Sequence, residues 1–270
     1  MSVSAEQVRA GIGSLSGREL LNKVPEVTIY FWIIKILCTT VGETFADYLN
    51  TKLNLGLTNT SLIIGAALLA VLFFQFRLPK YVPTVYWLVV VLISIVGTLI
   101  TDNLVEHFGL TLPQTTVGFS IALALTFIAW YASEKTLSIH SIVTRKREAF
   151  YWLTILFTFA LGTAAGDLTA ERLNVGYAWS AVLFAGLIAA TWAAHLGKTL
   201  GAVLAFWIAY ILTRPLGASI GDLMSQPKDV GGWALGTTVT SAIFLTAILA
   251  LVIFLTTTHR DEIPPEAVTD

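Results

Sequence analysis

The chain has 270 residues, of which 56% are hydrophobic and 12% charged, with a mean hydropathy of +0.76 and a formal net charge of -1. A soluble domain carries about a quarter of its residues as charges, so this balance excludes a water-soluble globular fold and predicts a protein that crosses the bilayer several times. The lone cysteine, Cys38, excludes an internal disulfide, and nothing in the charge distribution supports nucleic-acid binding.

Crossing a hydrocarbon core takes about twenty apolar residues. The chain offers eight such stretches, near 26–49, 57–76, 82–107, 113–132, 149–172, 176–196, 201–224 and 233–257. Residues 1–24 are polar, lack an apolar core before a small-residue cleavage site, and read as a cytoplasmic tail. Residues 25–258 form an eight-span membrane domain, and 259–270 read as a second cytoplasmic tail. Cytoplasmic flanks collect Lys and Arg. With the N-terminus inside, eleven basic residues fall on the cytoplasmic side and three (Lys52, Arg172, Lys228) on the other. Both termini are therefore expected in the cytoplasm.

Within the odd-numbered spans one pattern occurs four times: an aromatic, Trp, nine residues, Gly, three residues, a small residue and Asp. The copies are Phe31-Trp32/Gly42/Ala46-Asp47, Tyr86-Trp87/Gly97/Thr101-Asp102, Tyr151-Trp152/Gly162/Gly166-Asp167 and Phe206-Trp207/Gly217/Gly221-Asp222. They divide the domain into repeats of about 25–80, 81–135, 146–199 and 200–258, with the basic stretch Ser133 to Glu148 joining two halves. Two spans per repeat make the copies parallel, related by an axis along the membrane normal. Trp and Asp, fifteen residues apart, share a helix face about 22 Å along the axis. Gly42, Gly97, Gly162 and Gly217, each followed four residues later by a small residue, form packing motifs that let backbones approach in lipid. The expected fold is all-α, with the odd helices as an inner ring and the even helices outside.

The chemistry sits in the same register. Asp47, Asp102, Asp167 and Asp222, together with Glu43, bring five carboxylates to one level against two intramembrane cations, Lys35 and Arg214. Ionisable groups inside a membrane are costly and mark functional sites by default. A carboxylate there needs either a proton or a cation, so the five are candidate cation or proton ligands, with the aspartates as candidate metal ligands. The structural alternative is that each Asp ends one helix and caps a short following one. Trp32, Trp87, Trp152 and Trp207 read as inter-repeat packing or as the wall of a pathway. Lys35 and Glu43 occur in repeat one alone, and Arg214-Pro215 in repeat four alone. Pro215 removes the hydrogen bond to the Ile211 carbonyl and is expected to kink span seven. Lys35, Arg214 and Pro215 are thus candidate charge partners or gating residues, with either Glu43 and Arg214 on opposite walls of one central site or Arg214 simply paired with the nearest carboxylate. The scattered histidines make no haem or metal cluster, and no phosphate loop or nucleophile elbow appears.

The four tryptophans with their glycines and aspartates resemble a family of bacterial membrane proteins built from four tandem copies of a two-span repeat of unknown function. That resemblance covers residues 25 to 258 and implies the same architecture and a place in the bacterial inner membrane. It implies no substrate. From the residues, the expected function is a secondary transporter or exporter, or in a close variant a channel, for a small cation. Oxygen ligands favour Mn²⁺, Mg²⁺ or Ca²⁺ as cargo, with no resident cofactor and no enzymatic activity. Membrane lipid is the expected partner, and the motif specifies neither the ion nor the oligomeric state. The competing class is a non-transporting sensor or assembly component in which the motif is packing alone. A membrane enzyme acting on a lipid or quinone is a third.

Overall fold

The computed structural model describes residues 22–262; most of the two expected tails, 1–24 and 259–270, lies outside the described residues. Eight long helices follow in chain order: α1 (Ile29–Asp47), α2 (Gly56–Arg77), α3 (Pro83–Asp102), α4 (Leu112–Glu134), α5 (Arg145–Asp167), α6 (Tyr177–Leu196), α7 (Ala202–Ser225) and α8 (Gly236–Thr258). All eight are long and apolar enough to span a bilayer, and there is no strand among the described residues. This is a multi-pass membrane protein by the length and composition of its helices.

Helix starts follow local chemistry. The Phe31 amide donates to Thr28 Oγ1 at the head of α1, and the Arg147 amide donates to Thr144 Oγ1 at the head of α5. Thr111 and Gln114 form a capping box on α4. Pro83 at the start of α3 gives up no hydrogen bond there, because the first amides of a helix have no internal partner. In repeats one to three the inner helix runs straight into a single π-helical turn, Tyr48–Lys52, Asn103–His107 and Leu168–Arg172. Seven residues beyond each motif Asp the chain then turns through a left-handed residue, Asn54 (φ 52°), Gly109 (φ 70°) and Asn174 (φ 54°). These are residue types that enter that region at least cost.

The odd helices are the inside of the molecule. In their most apolar stretches 56–61% of residues are buried, against 11–28% in the even helices. α1, α3, α5 and α7 pack in that order and α7 closes back on α1; α2 lies on α3, α4 on α5, α6 on α7 and α8 on α1. The glycines are the reason the ring closes tightly. A Cβ on Gly42 would sit 2.8 Å from Ser94 Cβ of α3, one on Gly97 2.6 Å from Phe159 Cβ of α5, one on Gly162 2.5 Å from Arg214 Cβ of α7, and one on Gly217 2.6 Å from Thr39 Cβ of α1. Thr39, Ser94, Phe159 and Arg214 all stand three residues before their own motif glycine. Each helix therefore offers its glycine to one neighbour and the residue three before it to the other, a fourfold cyclic relation that uses one contact four times.

The tryptophans repeat the same rule one layer away. The aromatic preceding each Trp packs on the Trp of the next repeat: Phe31 on Trp87 (5.7 Å between ring centroids), Tyr86 on Trp152 (5.4 Å), Tyr151 on Trp207 (6.3 Å) and Phe206 on Trp32 (5.6 Å). Of the two roles expected for these residues, inter-repeat packing is the one the geometry displays. Such aromatic pairs contribute about 0.5–1.5 kcal/mol each beyond area burial, so the belt fastens the ring at this level.

Because the spans alternate in direction, the motif tryptophans lie in the half of the bundle where the described residues begin and end, called here the termini end, and the aspartates in the far half. The termini end is tied shut by segments far apart in sequence. The Glu26 amide donates to the Asp261 carbonyl at 3.0 Å, and the Lys23 amide to the Ile142 carbonyl at 3.1 Å. Lys23 Nζ bonds the buried Glu148 carboxylate at 2.6 Å, and Gln75 Nε2 donates to the other oxygen of that carboxylate at 3.0 Å. The basic run at the head of α5 is partly committed as well: Arg147 Nε and Lys146 Nζ both reach Glu134, at 2.9 and 3.3 Å.

A carboxylate cluster closed by one arginine

The residue after each motif glycine is Glu43, Thr98, Thr163 and Ala218, and the first three meet at the centre of the ring. At that level repeat four contributes something the others lack. Arg214 is wholly buried and its guanidinium reaches one such residue from each of the other three repeats. Nη2 donates to Glu43 Oε2 at 3.0 Å, to Thr163 Oγ1 at 2.7 Å and to Thr98 Oγ1. Nη1 donates to the Thr39 carbonyl at 2.6 Å. Bonds to an ionised donor are roughly twice as strong as neutral ones. A guanidinium held by three repeats fills the centre of the ring at this level.

Of the two arrangements expected for Glu43 and Arg214, the opposite walls of a site are corrected and direct pairing is found: the two are partners on adjacent helices. The reason is the cyclic packing: α7 closes against α1, and Gly217 and Gly221 let α7 come close enough for the contact. Lys35 also departs from expectation. It stands eight residues before Glu43, one layer nearer the termini, and pairs with no carboxylate among the described residues. Its Nζ donates to Thr213 Oγ1 at 3.3 Å and lies 4.2 and 4.3 Å from the ring centroids of Tyr210 and Phe159. Pro215 does not break α7, which runs unbroken from Ala202 to Ser225. Its ring packs against the bare backbone at Gly162.

On the far side of Arg214 the carboxylates gather. Glu43, Asp167 and Asp222 each place one carboxylate oxygen so that the three lie within 4.8 Å of one another. Asp47 and Asp102 occupy the same register in repeats one and two, one turn beyond Glu43 on α1 and Thr98 on α3. Glu43 and Asp222 are buried while Asp47, Asp102 and Asp167 are half-buried. The capping alternative is corrected: Asp47, Asp102 and Asp167 sit in helical conformation before their π turns and none makes a side-chain cap bond. The four aspartates make no salt bridge among the described residues. Of the three converging carboxylates only that of Glu43 bonds the guanidinium. Their spacing is one that an oxygen-bound divalent ion spans with bonds of about 2.0–2.6 Å.

The four aspartates are equivalent in sequence but not in space, since the tight group takes two of them and adds Glu43. Thr98 and Thr163, which hold the guanidinium, escape a reading made residue by residue. The signal that finds them is the register itself, because both align with Glu43 once the repeats are superposed on their glycines. Outside the spans, burial pushes the Tyr81 hydroxyl up from its ordinary value, and Asp261 beside it adds to the effect. Burial likewise raises Asp261, whose Oδ2 accepts from Tyr81 at 2.5 Å.

The family model described as Repeat of Unknown Function (DUF347) matches four times in succession, over residues 30–81, 85–136, 150–199 and 205–261. The chain belongs to this family. Each match holds one inner and one outer helix, so the family unit is the two-helix building block of the ring. No curated protein and no solved structure matches the chain.

Proposed function

We propose that the protein is a secondary transporter of a small cation, with Glu43, Asp167 and Asp222 as its oxygen ligands, Asp47 and Asp102 as flanking carboxylates, and the bacterial inner membrane as its location. The observation that carries this reading is the group of three carboxylates within 4.8 Å, set in a membrane domain beside a single guanidinium. Charge balance demands a further positive species there, either a proton or a metal ion. A hard ion suits an all-oxygen donor set, which favours Mn²⁺, Mg²⁺ or Ca²⁺.

Arg214 is then a tethered competitor. With no cargo it satisfies Glu43 and blocks the axis; a cation reaching Asp167 and Asp222 takes the Glu43 oxygen in its place. Pro215, next to it, lacks the amide that would bond back to Ile211, so α7 has a weakened rung at the point where the guanidinium must move.

The test is flux in proteoliposomes loaded with an ion-sensitive dye, run separately with Mn²⁺, Mg²⁺ and Ca²⁺. Wild-type protein should move at least one of them, and Asp167→Asn, Asp222→Asn and Glu43→Gln should each reduce that rate at least tenfold while eluting as folded, monodisperse protein. Equal rates in all three variants would leave the carboxylates without a transport role and favour a sealed, non-transporting membrane component.

A further inference from the structure

The fourfold rule that builds the ring fails at one place on its outside. Toward the termini end of each outer helix one register holds Gln75, Trp130, His195 and Leu255, each fifteen residues after a buried hydroxyl: Thr60, Thr115, Ser180 and Thr240. Gln75, Trp130 and Leu255 are wholly buried, whereas His195 is half-buried. The motif tryptophans divide in the same way. Trp87, Trp152 and Trp207 are buried and Trp32 is half-buried.

Repeat two shows the register filled. The Trp130 indole lies edge-on to Trp207 with ring centroids 5.8 Å apart, and Phe127, three residues earlier, lies at 5.1 Å. In repeat three the same two positions are Trp192 and His195. Neither ring reaches Trp32, whose ring contacts among the described residues are Phe31 and Phe206. A cavity of about 450 Å³ lies there instead, lined by Trp32 of α1, Trp192 and His195 of α6, Phe206 of α7 and the joint from Leu137 to His140. That volume falls within the range of small-molecule sites. Left unfilled, it forfeits the dispersion contacts that Trp130 supplies in repeat two.

The lining specifies the occupant. No Lys, Arg, Asp or Glu among the described residues lines the cavity, so a phosphate or ammonium head would lose its hydration without gaining a counter-charge. Trp192 and Val203, both in the lining, are exposed, which on a membrane-spanning helix means open to lipid. The ligand therefore enters from the bilayer. A flat ring is what the register accepts, packed on Trp32 and Phe206 as Trp130 is on Trp207. The polar contact comes from His195, whose Nδ1 lies 3.0 Å from the Leu200 carbonyl oxygen. A carbonyl only accepts, so Nδ1 carries the proton, and Nε2 of the uncharged ring is an acceptor. It makes no hydrogen bond among the described residues, and it suits a ligand hydroxyl.

We propose that this cavity binds a neutral, lipid-soluble aromatic alcohol of the phenol or quinol class. Its ring takes the place that Trp130 fills in repeat two, and its hydroxyl donates to His195 Nε2. The site lies outside the ring, where α6 covers α7 and α1 without closing over Trp32, and it does not rest on the transport reading.

The test is equilibrium dialysis of the protein in lipid nanodiscs against 1-naphthol, with uptake by empty discs subtracted. Wild type should bind one equivalent saturably and prefer 1-naphthol to its methyl ether about fivefold, the worth of one hydrogen bond. His195→Trp places in repeat three the residue that repeat two carries. It should weaken naphthol binding at least about tenfold by filling the cavity, with the elution profile kept and the thermal midpoint unchanged or raised. His195→Phe keeps a ring and deletes the acceptor, so it should bind naphthol and the ether equally. Undiminished naphthol binding in His195→Trp would overturn the site. Equal affinity of wild type for naphthol and the ether, or a preference that survives in His195→Phe, would overturn the hydroxyl contact and with it the ligand class. No saturable binding above empty discs would overturn the proposal and leave lipid chains as the occupant.

Discussion

Replacing Arg214 by methionine tests the centre of the ring most directly, because methionine keeps an unbranched stem against Gly162 and deletes only the guanidinium. The variant loses the bonds to Glu43, Thr98, Thr163 and the Thr39 carbonyl. Thr98 and Thr163 retain each other at 3.4 Å and their own helix carbonyls, so the loss concentrates in Glu43, left buried without a cation. Breaking a buried pair from one side costs about 3–5 kcal/mol, which is about two to four decades in the unfolding constant. Glu43→Gln is milder, about 1–3 kcal/mol, since the guanidinium keeps its other acceptors. In the double variant the uncompensated charge disappears from both sides, and the two effects should fall short of additivity by about 0.5–3 kcal/mol. Equilibrium unfolding in mixed micelles, followed by tryptophan fluorescence, reads all three. A cost under about 1 kcal/mol for Arg214→Met, or additivity within about 0.5 kcal/mol, would refute the buried pair as the ring's central fastening.

The glycine contacts make a paired prediction. Gly217→Ala drives a methyl to 2.6 Å from Thr39 Cβ and 3.0 Å from the Thr40 amide nitrogen, an overpacking worth about 1–3 kcal/mol of lost stability. Gly65→Ala, on outer helix α2 with nothing within 4 Å, should be neutral or gain up to about 1 kcal/mol, and equal losses at both sites in thermal unfolding would contradict the inner-ring assignment. Asp261 supplies a pH signature. Its folded-state value is raised by burial, so its contribution is fully present below the ordinary aspartate value of about 3.9 and is lost as pH rises through the folded value. Asp261→Asn should therefore gain in melting temperature on the wild type as pH is raised from 4 to 7; a difference independent of pH would show that this carboxyl does not titrate with folding.

Much of this architecture is written in the chain, and for a physical reason. Apolar length, the 2:1 count of helices to motifs and the placement of basic residues each act locally, so eight spans, four parallel repeats and the inward face of the glycines can be read before any contact is known. What the residues could not disclose is which neighbour each repeat meets. Glu43 and Arg214, 171 residues apart, become partners only because α7 closes on α1 through Gly217 and Gly221. That closure turns four equivalent aspartates into a tight group of two plus a glutamate. It also leaves Lys35 in a layer without carboxylates, and brings Lys23 under Glu148. Helix formation and membrane insertion are decided by short windows of sequence, whereas the pairing of buried charges is decided by the order in which helices meet around an axis, and that order exists only in the assembled ring.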